Sequence, residues 1–226
     1  MIMNKNIFVA CDVSSQKEIL ELLSKIHQEI SGIKIGLQYI TRHSPEEIRS
    51  LGKFNKPIFY DGKFFDIKNT LIESIKSLKD LKVSYATVHL LNGLDSLKAA
   101  NEAANEINVK LLGVSVLTSF GNEDLNQLGF KDEMDKQIIR LIKIANESNL
   151  YGVICSPLEI KMIKKVAPNL KCFTPGIRQH KNGDEQKRTM NAKQALEAGS
   201  DCLIIGRPIT KGDPKNNIKE ILSSLK

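Results

Sequence analysis

Residues 57–70 read PIFYDGKFFDIKNT. The stretch opens as a buried strand, with Ile58, Phe59 and Tyr60 behind a proline. It then takes on an acid, a base and a second acid, Asp61, Lys63 and Asp66, and runs into a helix-like segment holding Ile67, Asn69 and Thr70. Asp61 and Lys63 are two apart on a strand, so they share a face. If that face is an interior, Phe59 lies below them, while Ile58 and Tyr60 point the other way. A strand that ends in this manner is leaving a core and entering a site.

The same unit recurs along the chain. Apolar runs stand at 7–13 (IFVACDV), 32–37 (GIKIGL), 57–63 (PIFYDGK), 85–91 (YATVHLL), 110–117 (KLLGVSVL), 152–156 (GVICS), 171–177 (KCFTPGI) and 202–209 (CLIIGRPI). Each is followed by a longer stretch, such as QKEILELLSKIHQEI at 16–30, whose apolar residues fall three and four apart. Ser44-Pro45 and Ser156-Pro157 read as helix starts. The strands are nearly continuous in apolar character, as strands covered on both faces are. Strand–helix alternation implies parallel pairing. Eight such units in 226 residues predict an α/β fold, a compact (β/α)8 or TIM barrel. An open doubly wound sheet is the other arrangement of such units. No Pro/Gly/Ser-rich linker divides the chain, so residues 1–226 are expected to form one domain.

Composition narrows the class of function. Hydrophobic residues make up 41% and charged residues 26%, which suits a soluble globular protein. The net charge of +7 would suit an anionic ligand. The lysines are spread along the chain, and there is no tryptophan, which argues against a nucleic-acid partner. Cys11, Cys155, Cys172 and Cys202 form no CxxC pair and lie in apolar runs, so they are expected as buried free thiols in a reducing compartment. The N-terminal apolar run is too short for a signal peptide, and no run approaches the length of a membrane span. A cytoplasmic protein with no membrane partner is expected.

In a barrel of this kind the chemistry sits at the C-terminal strand ends. Strand one ends near Asp12, and strand two carries Lys34. Strand three supplies Asp61 and Lys63, strand five runs into Thr118, strand seven into Arg178, and strand eight into Gly206 and Arg207. Lysines and carboxylates gathered in a partly desolvated mouth are costly unless paired, and such clusters shift pKa values as functional sites require. The segments TPGIR (174–178) and IIGRPIT (204–210) follow strands seven and eight, where this fold often holds phosphate. Arg178 and Arg207 offer forked donors, and Gly206 permits close backbone approach. The polar loop QHKNGDEQKR (179–188) between them has the character of a lid. His89 ends strand four and reads as a hydrogen-bonded structural histidine. No metal-ligand spacing, Walker loop or GxGxxG occurs, so neither a metal nor a cofactor is expected.

Asp61-x-Lys63-x-x-Asp66-Ile67-x-Asn69-Thr70 resembles the signature of the orotidine 5'-monophosphate decarboxylase family. Asp12, Lys34 in IKIGL, LTS at 117–119, TPGIR, Gln186 and IGRPIT at 205–210 resemble that family's motifs in the same order. The likeness covers essentially the whole chain. It implies loss of CO2 from C6 of orotidine 5'-monophosphate to give UMP, the last step of de novo pyrimidine synthesis, without a cofactor. It assigns Lys63 as the acid that protonates C6, and sets Asp61 against the departing carboxylate. Lys34 and Asp66 complete a fixed chain of alternating charge. Thr118 contacts the pyrimidine, and Asp12 with Lys34 the ribose. Gln186, Arg178, Gly206 and Arg207 take the phosphate, and Ile67 joins Thr70 in substrate binding. Asp66 and Thr70 reach into the partner's site of a two-fold homodimer. Gly62 and Phe65 depart from the family's commonest residues, a larger apolar side chain and a histidine. The loop before Gln186 is short, which leaves Gln179 and Gln194 as alternatives.

Two other readings fit less of the chain. The related 3-keto-gulonate-phosphate decarboxylases and hexulose-phosphate synthases use magnesium and an acidic residue near the end of strand two, where this chain has Gly36-Leu37-Gln38. A barrel that only binds a phosphorylated ligand has no need of an alternating charge chain.

Overall fold

The computed structural model describes residues 6–178 and 189–225. Among them, eight parallel strands close in sequence order into a barrel: β1 (Ile7–Ala10), β2 (Gly32–Gly36), β3 (Ile58–Phe64), β4 (Tyr85–His89), β5 (Lys110–Val114), β6 (Gly152–Ile154), β7 (Lys171–Thr174) and β8 (Cys202–Ile205). Ile7 pairs with Leu203, which seals β1 to β8. The closed ring leaves no sheet edge, and the doubly wound alternative is set aside.

Both strand faces are covered. Ile7, Val9, Ile33, Ile35 and Ile58 point outward and pack with helix residues such as Ile19, Leu23, Ile75 and Ile138. Full burial of each such side chain is worth about 1.5–3 kcal/mol. Phe8, Phe59, Leu112, Phe173 and Ile204 point inward. Phe59 is therefore inside while Ile58 and Tyr60 face the helices, as the alternation predicts. The lower barrel is filled by rings: Phe8 meets Phe59, Tyr85 and Phe173 edge-on, with centroids 5.5–6.4 Å apart. Gly32 makes this possible, because a Cβ there would stand 2.2 Å from the Phe8 ring.

Most strands stop two to four residues short of their apolar runs, and β3 alone runs one residue past its run. Near the mouth the chain quits the ladder and turns outward while still carrying apolar residues. The GRPI portion of the last run is not strand, because Arg207–Thr210 form a short helix with proline in its first turn. The helix in 16–30 is Gln16–Ile26, capped by Ser15, whose side chain accepts the Glu18 N–H. It ends early so that Ile30 can re-enter the core. Ser44 starts the helix Pro45–Ser50 with a full capping box on Glu47, as predicted. Ser156-Pro157 opens a turn and not the helix itself: Glu159 N–H donates to the Ser156 carbonyl at 3.0 Å, and the helix Ile160–Val166 begins after it.

All four cysteines are buried and free, and burial pushes the Cys11 thiol up to about 12. No helix among the described residues is long and apolar enough to cross a membrane.

Candidate active site

A cavity of about 250 Å³ opens at the C-terminal ends of the strands. Asp12, Lys34, Asp61 and Lys63 line one side of it. Thr118, Arg178, Gly206 and Arg207 line the rest, together with apolar residues from β5, β6 and β8. Eight residues read from six separate runs thus share one pocket. Asp66, Ile67 and Thr70 are exposed and do not line it. Ile67 stands at the position preceding the helix Lys68–Lys76 and not within it. Gln186, Gln179 and the segment 179–188 lie outside the described residues. Gln194 Oε1 accepts the Asn191 N–H in a capping box, and Gln194 does not line the cavity.

The charges alternate in space. Lys34 Nζ is 3.0 Å from Asp12 Oδ1 and 3.6 Å from Asp61 Oδ2. Lys63 Nζ donates to Asp61 Oδ1 at 2.9 Å. Burial opposes charge on both central groups, yet their neighbours prevail. Asp61 and Asp12 hold the Lys34 ammonium above the usual lysine value, although it is only 7% exposed. Lys34 and Lys63, with hydrogen bonds from Lys63 and Thr87, hold the Asp61 carboxyl below the usual carboxylate value. Gly36 leaves room for this pairing, since a Cβ there would stand 3.0 Å from both Asp12 Oδ1 and Lys34 Nζ.

Asp61 and Lys63 converge through an irregularity in β3. Tyr60 pairs with Ala86 and Phe64 with Val88, so β3 takes four steps where β4 takes two. Asp61, Gly62 and Lys63 therefore oppose Thr87 alone, and Lys63 adopts a left-handed backbone at φ 48°. A Cβ at Gly62 would stand 2.7 Å from the Tyr60 ring, which stacks on Phe64. That ring fills the volume a larger residue would take. Sequence reasoning missed Thr87 and Gly36. No local signal marks Thr87, which stands between Tyr85 and His89 on the inward parity of an apolar strand.

The cationic end is set by two tight connections. Gly176 takes φ 79° in the turn after β7, and Arg178 N–H donates to the Met190 carbonyl at 3.0 Å. Met190 N–H in turn donates to the Gly176 carbonyl at 3.3 Å. His89 does not line this cavity. Its Nδ1 accepts the Leu91 N–H, and its ring lies 5.6 Å from Phe65. Burial, and then Lys63, hold its pKa down, consistent with a neutral structural ring. Asn92 fixes the next turn, donating to the Phe64 and His89 carbonyls and accepting the Asp66 N–H.

The model of the "Orotidine 5'-phosphate decarboxylase / HUMPS family" matches residues 5–221. The chain is 38% identical over 221 residues to the orotidine 5'-phosphate decarboxylase of Wolbachia pipientis subsp. Culex pipiens, covering 97% of this chain and 98% of that protein. It is 35% identical to that of Ehrlichia canis, over 97% of each. A crystal structure of orotidine 5'-phosphate decarboxylase from Lactobacillus acidophilus superposes with TM-score 0.86 at 30% identity, covering 99% of this chain and 100% of that one. A structure from Methanocaldococcus jannaschii, complexed with inhibitor BMP, superposes at 0.81 and 23% identity, over 98% of this chain and 99% of that one, a likeness of fold.

Proposed function

Since the chain belongs to the orotidine 5'-phosphate decarboxylase / HUMPS family, we propose that it decarboxylates orotidine 5'-monophosphate to UMP and CO2, in the cytoplasm, as a single barrel domain without a cofactor. The observation that carries this reading is the alternating chain Asp12, Lys34, Asp61, Lys63 inside a cavity that also holds Arg178 and Arg207.

The chemistry follows from those charges. Breaking the C6–carboxylate bond leaves its electron pair on C6, and neutral CO2 departs. Asp61 sits against the substrate carboxylate, and their repulsion is relieved as CO2 forms. The Lys63 ammonium stabilises the pair on C6 and then gives it a proton; the resulting amine regains one from water. Charges already held in place need no reorganisation as the carbanion develops. At the top of the known range such an enzyme lowers its barrier by about 20 kcal/mol. Thr118 receives the pyrimidine, and Asp12 with Lys34 the ribose. Arg178, Gly206, Arg207 and Gln186 hold the phosphate, and that remote binding energy acts at the reacting carbon.

Asp66 and Thr70 serve the partner's site in a homodimer, and Ile67 joins Thr70 in substrate binding. Two features support this. Asp66 makes no ion pair among the described residues, and its chain neighbours Phe65 and Ile67 are exposed, as is Leu91 beside His89.

The test is loss of orotidine 5'-monophosphate absorbance with and without EDTA. Turnover unaffected by EDTA is expected. No turnover by folded protein would overturn the reading and favour the magnesium-dependent phosphosugar relatives. Lys63→Ala is expected to abolish turnover while UMP still binds; a retained kcat would remove Lys63 as proton donor. Arg207→Ala is expected chiefly to raise KM, and unchanged kinetics would sink the phosphate assignment.

A further inference from the structure

We infer that Thr87 is a positioning residue for this reaction, its one hydroxyl holding both the Lys63 backbone and the Asp61 carboxylate in register with the substrate. The inference rests on the proposed decarboxylation and adds a residue that touches no reacting atom.

The widened stretch of β3 is the starting point. Three residues, Asp61, Gly62 and Lys63, stand against Thr87, so their backbone has lost regular ladder partners. A buried N–H left unpaired is costly. The Lys63 N–H is taken up by a side chain instead, donating to Thr87 Oγ1 at 2.8 Å. Thr87 Oγ1 lies 3.0 Å from Asp61 Oδ1. A carboxylate only accepts, so the hydroxyl proton points at Asp61. The same Oδ1 accepts from Lys63 Nζ. One hydroxyl therefore touches the main chain of the lysine and the carboxylate that its ammonium grips.

Two further facts make the hydroxyl a constraint. Thr87 is fully buried, so water does not replace its bonds. Its β-branched side chain has few rotamers open to it in a strand. Lys63 meanwhile holds a positive φ that a side chain of its size rarely adopts, and such strain persists only where the surroundings over-determine it. Thr87 is the group that does so. Without its hydroxyl, the widened stretch is free to relax and carry the ammonium away from C6.

Thr87→Val keeps the shape and removes both bonds, whereas Thr87→Ser keeps the hydroxyl. Losing a buried hydrogen bond at this point is expected to lower kcat by about 10- to 100-fold in Thr87→Val. KM and UMP affinity should move by less than about threefold, because the ribose and phosphate contacts lie elsewhere. Exchange of the UMP C6 proton for deuterium in D2O reports proton transfer between Lys63 and C6 alone, and it should fall in parallel. Thr87→Ser should restore both rates to within about threefold of wild type. If Thr87→Val does not fold by circular dichroism, Thr87→Ala is measured in its place with the same expectation.

A wild-type kcat in the hydroxyl-free variant, beside active wild type, overturns the positioning role alone. A Thr87→Ser variant as impaired as Thr87→Val also overturns it, since packing would then explain the loss. Wild type that turns over no orotidine 5'-monophosphate overturns the reading of the reaction, and this role with it.

Discussion

Lys34 carries its charge where charge is most expensive, and it and the Asp61 carboxylate beside it carry signed consequences for stability. The Asp61 pKa is depressed on folding. Its contribution is therefore fully present above the unfolded value of about 3.9 and is lost as pH falls through the lower folded value. The Lys34 pKa is raised, so its contribution is present below about 10.4 and lost as pH climbs through the higher folded value. Asp61→Asn is expected to lower Tm at pH 7 and to converge on wild type in acid, where the wild-type carboxyl is itself protonated. Melting curves from pH 2 to pH 7 check this, and a gap that stays constant would mean Asp61 is not the titrating group. At this scale the charged residues were legible because they interrupt or end apolar runs, and the two on β3 are spaced for one face. Thr87 was not legible. A threonine in a strand is ordinary, and its importance arises only from a register shift on the neighbouring strand.

Strands were easier to read than their ends. Apolar continuity marked all eight, but the residue at which each leaves the ladder depends on its two neighbours, which local sequence does not contain. Ser156-Pro157 misled for a similar reason: the pair opens a turn closed by Glu159 N–H on the Ser156 carbonyl at 3.0 Å, and the helix starts only after it. The shortest strand, β6, shows how close these elements lie. A Cβ at Gly152 would stand 2.4 Å from the Lys171 carbonyl oxygen, a backbone atom of β7 that cannot swing aside. Gly152→Ala is expected to lower unfolding free energy by about 1–3 kcal/mol through overpacking. Urea denaturation measures it, and an unmoved midpoint would show that β6 and β7 separate at little cost.

Across the whole molecule, each site is proposed to be completed by a second copy, which gives mixing experiments a definite outcome. Lys63→Ala and Asp66→Ala are each expected to be inactive alone. After mixed refolding, half the dimers are hybrids, and each hybrid has one site with both groups intact. About a quarter of wild-type activity should return. No recovery in verified hybrids would place Asp66 in its own chain's site. The barrel was legible from the repeat of strand and helix, whereas the partner's share came from resemblance alone, since nothing in one chain's periodicity records a second chain. The rings that fill the lower barrel carry one more consequence. With no tryptophan in the chain, its four tyrosines are the dominant ultraviolet emitters. Tyr85 and Tyr151 both pack against Phe173 within that ring cluster. Their fluorescence is thus a built-in optical gauge of barrel closure, readable without any label.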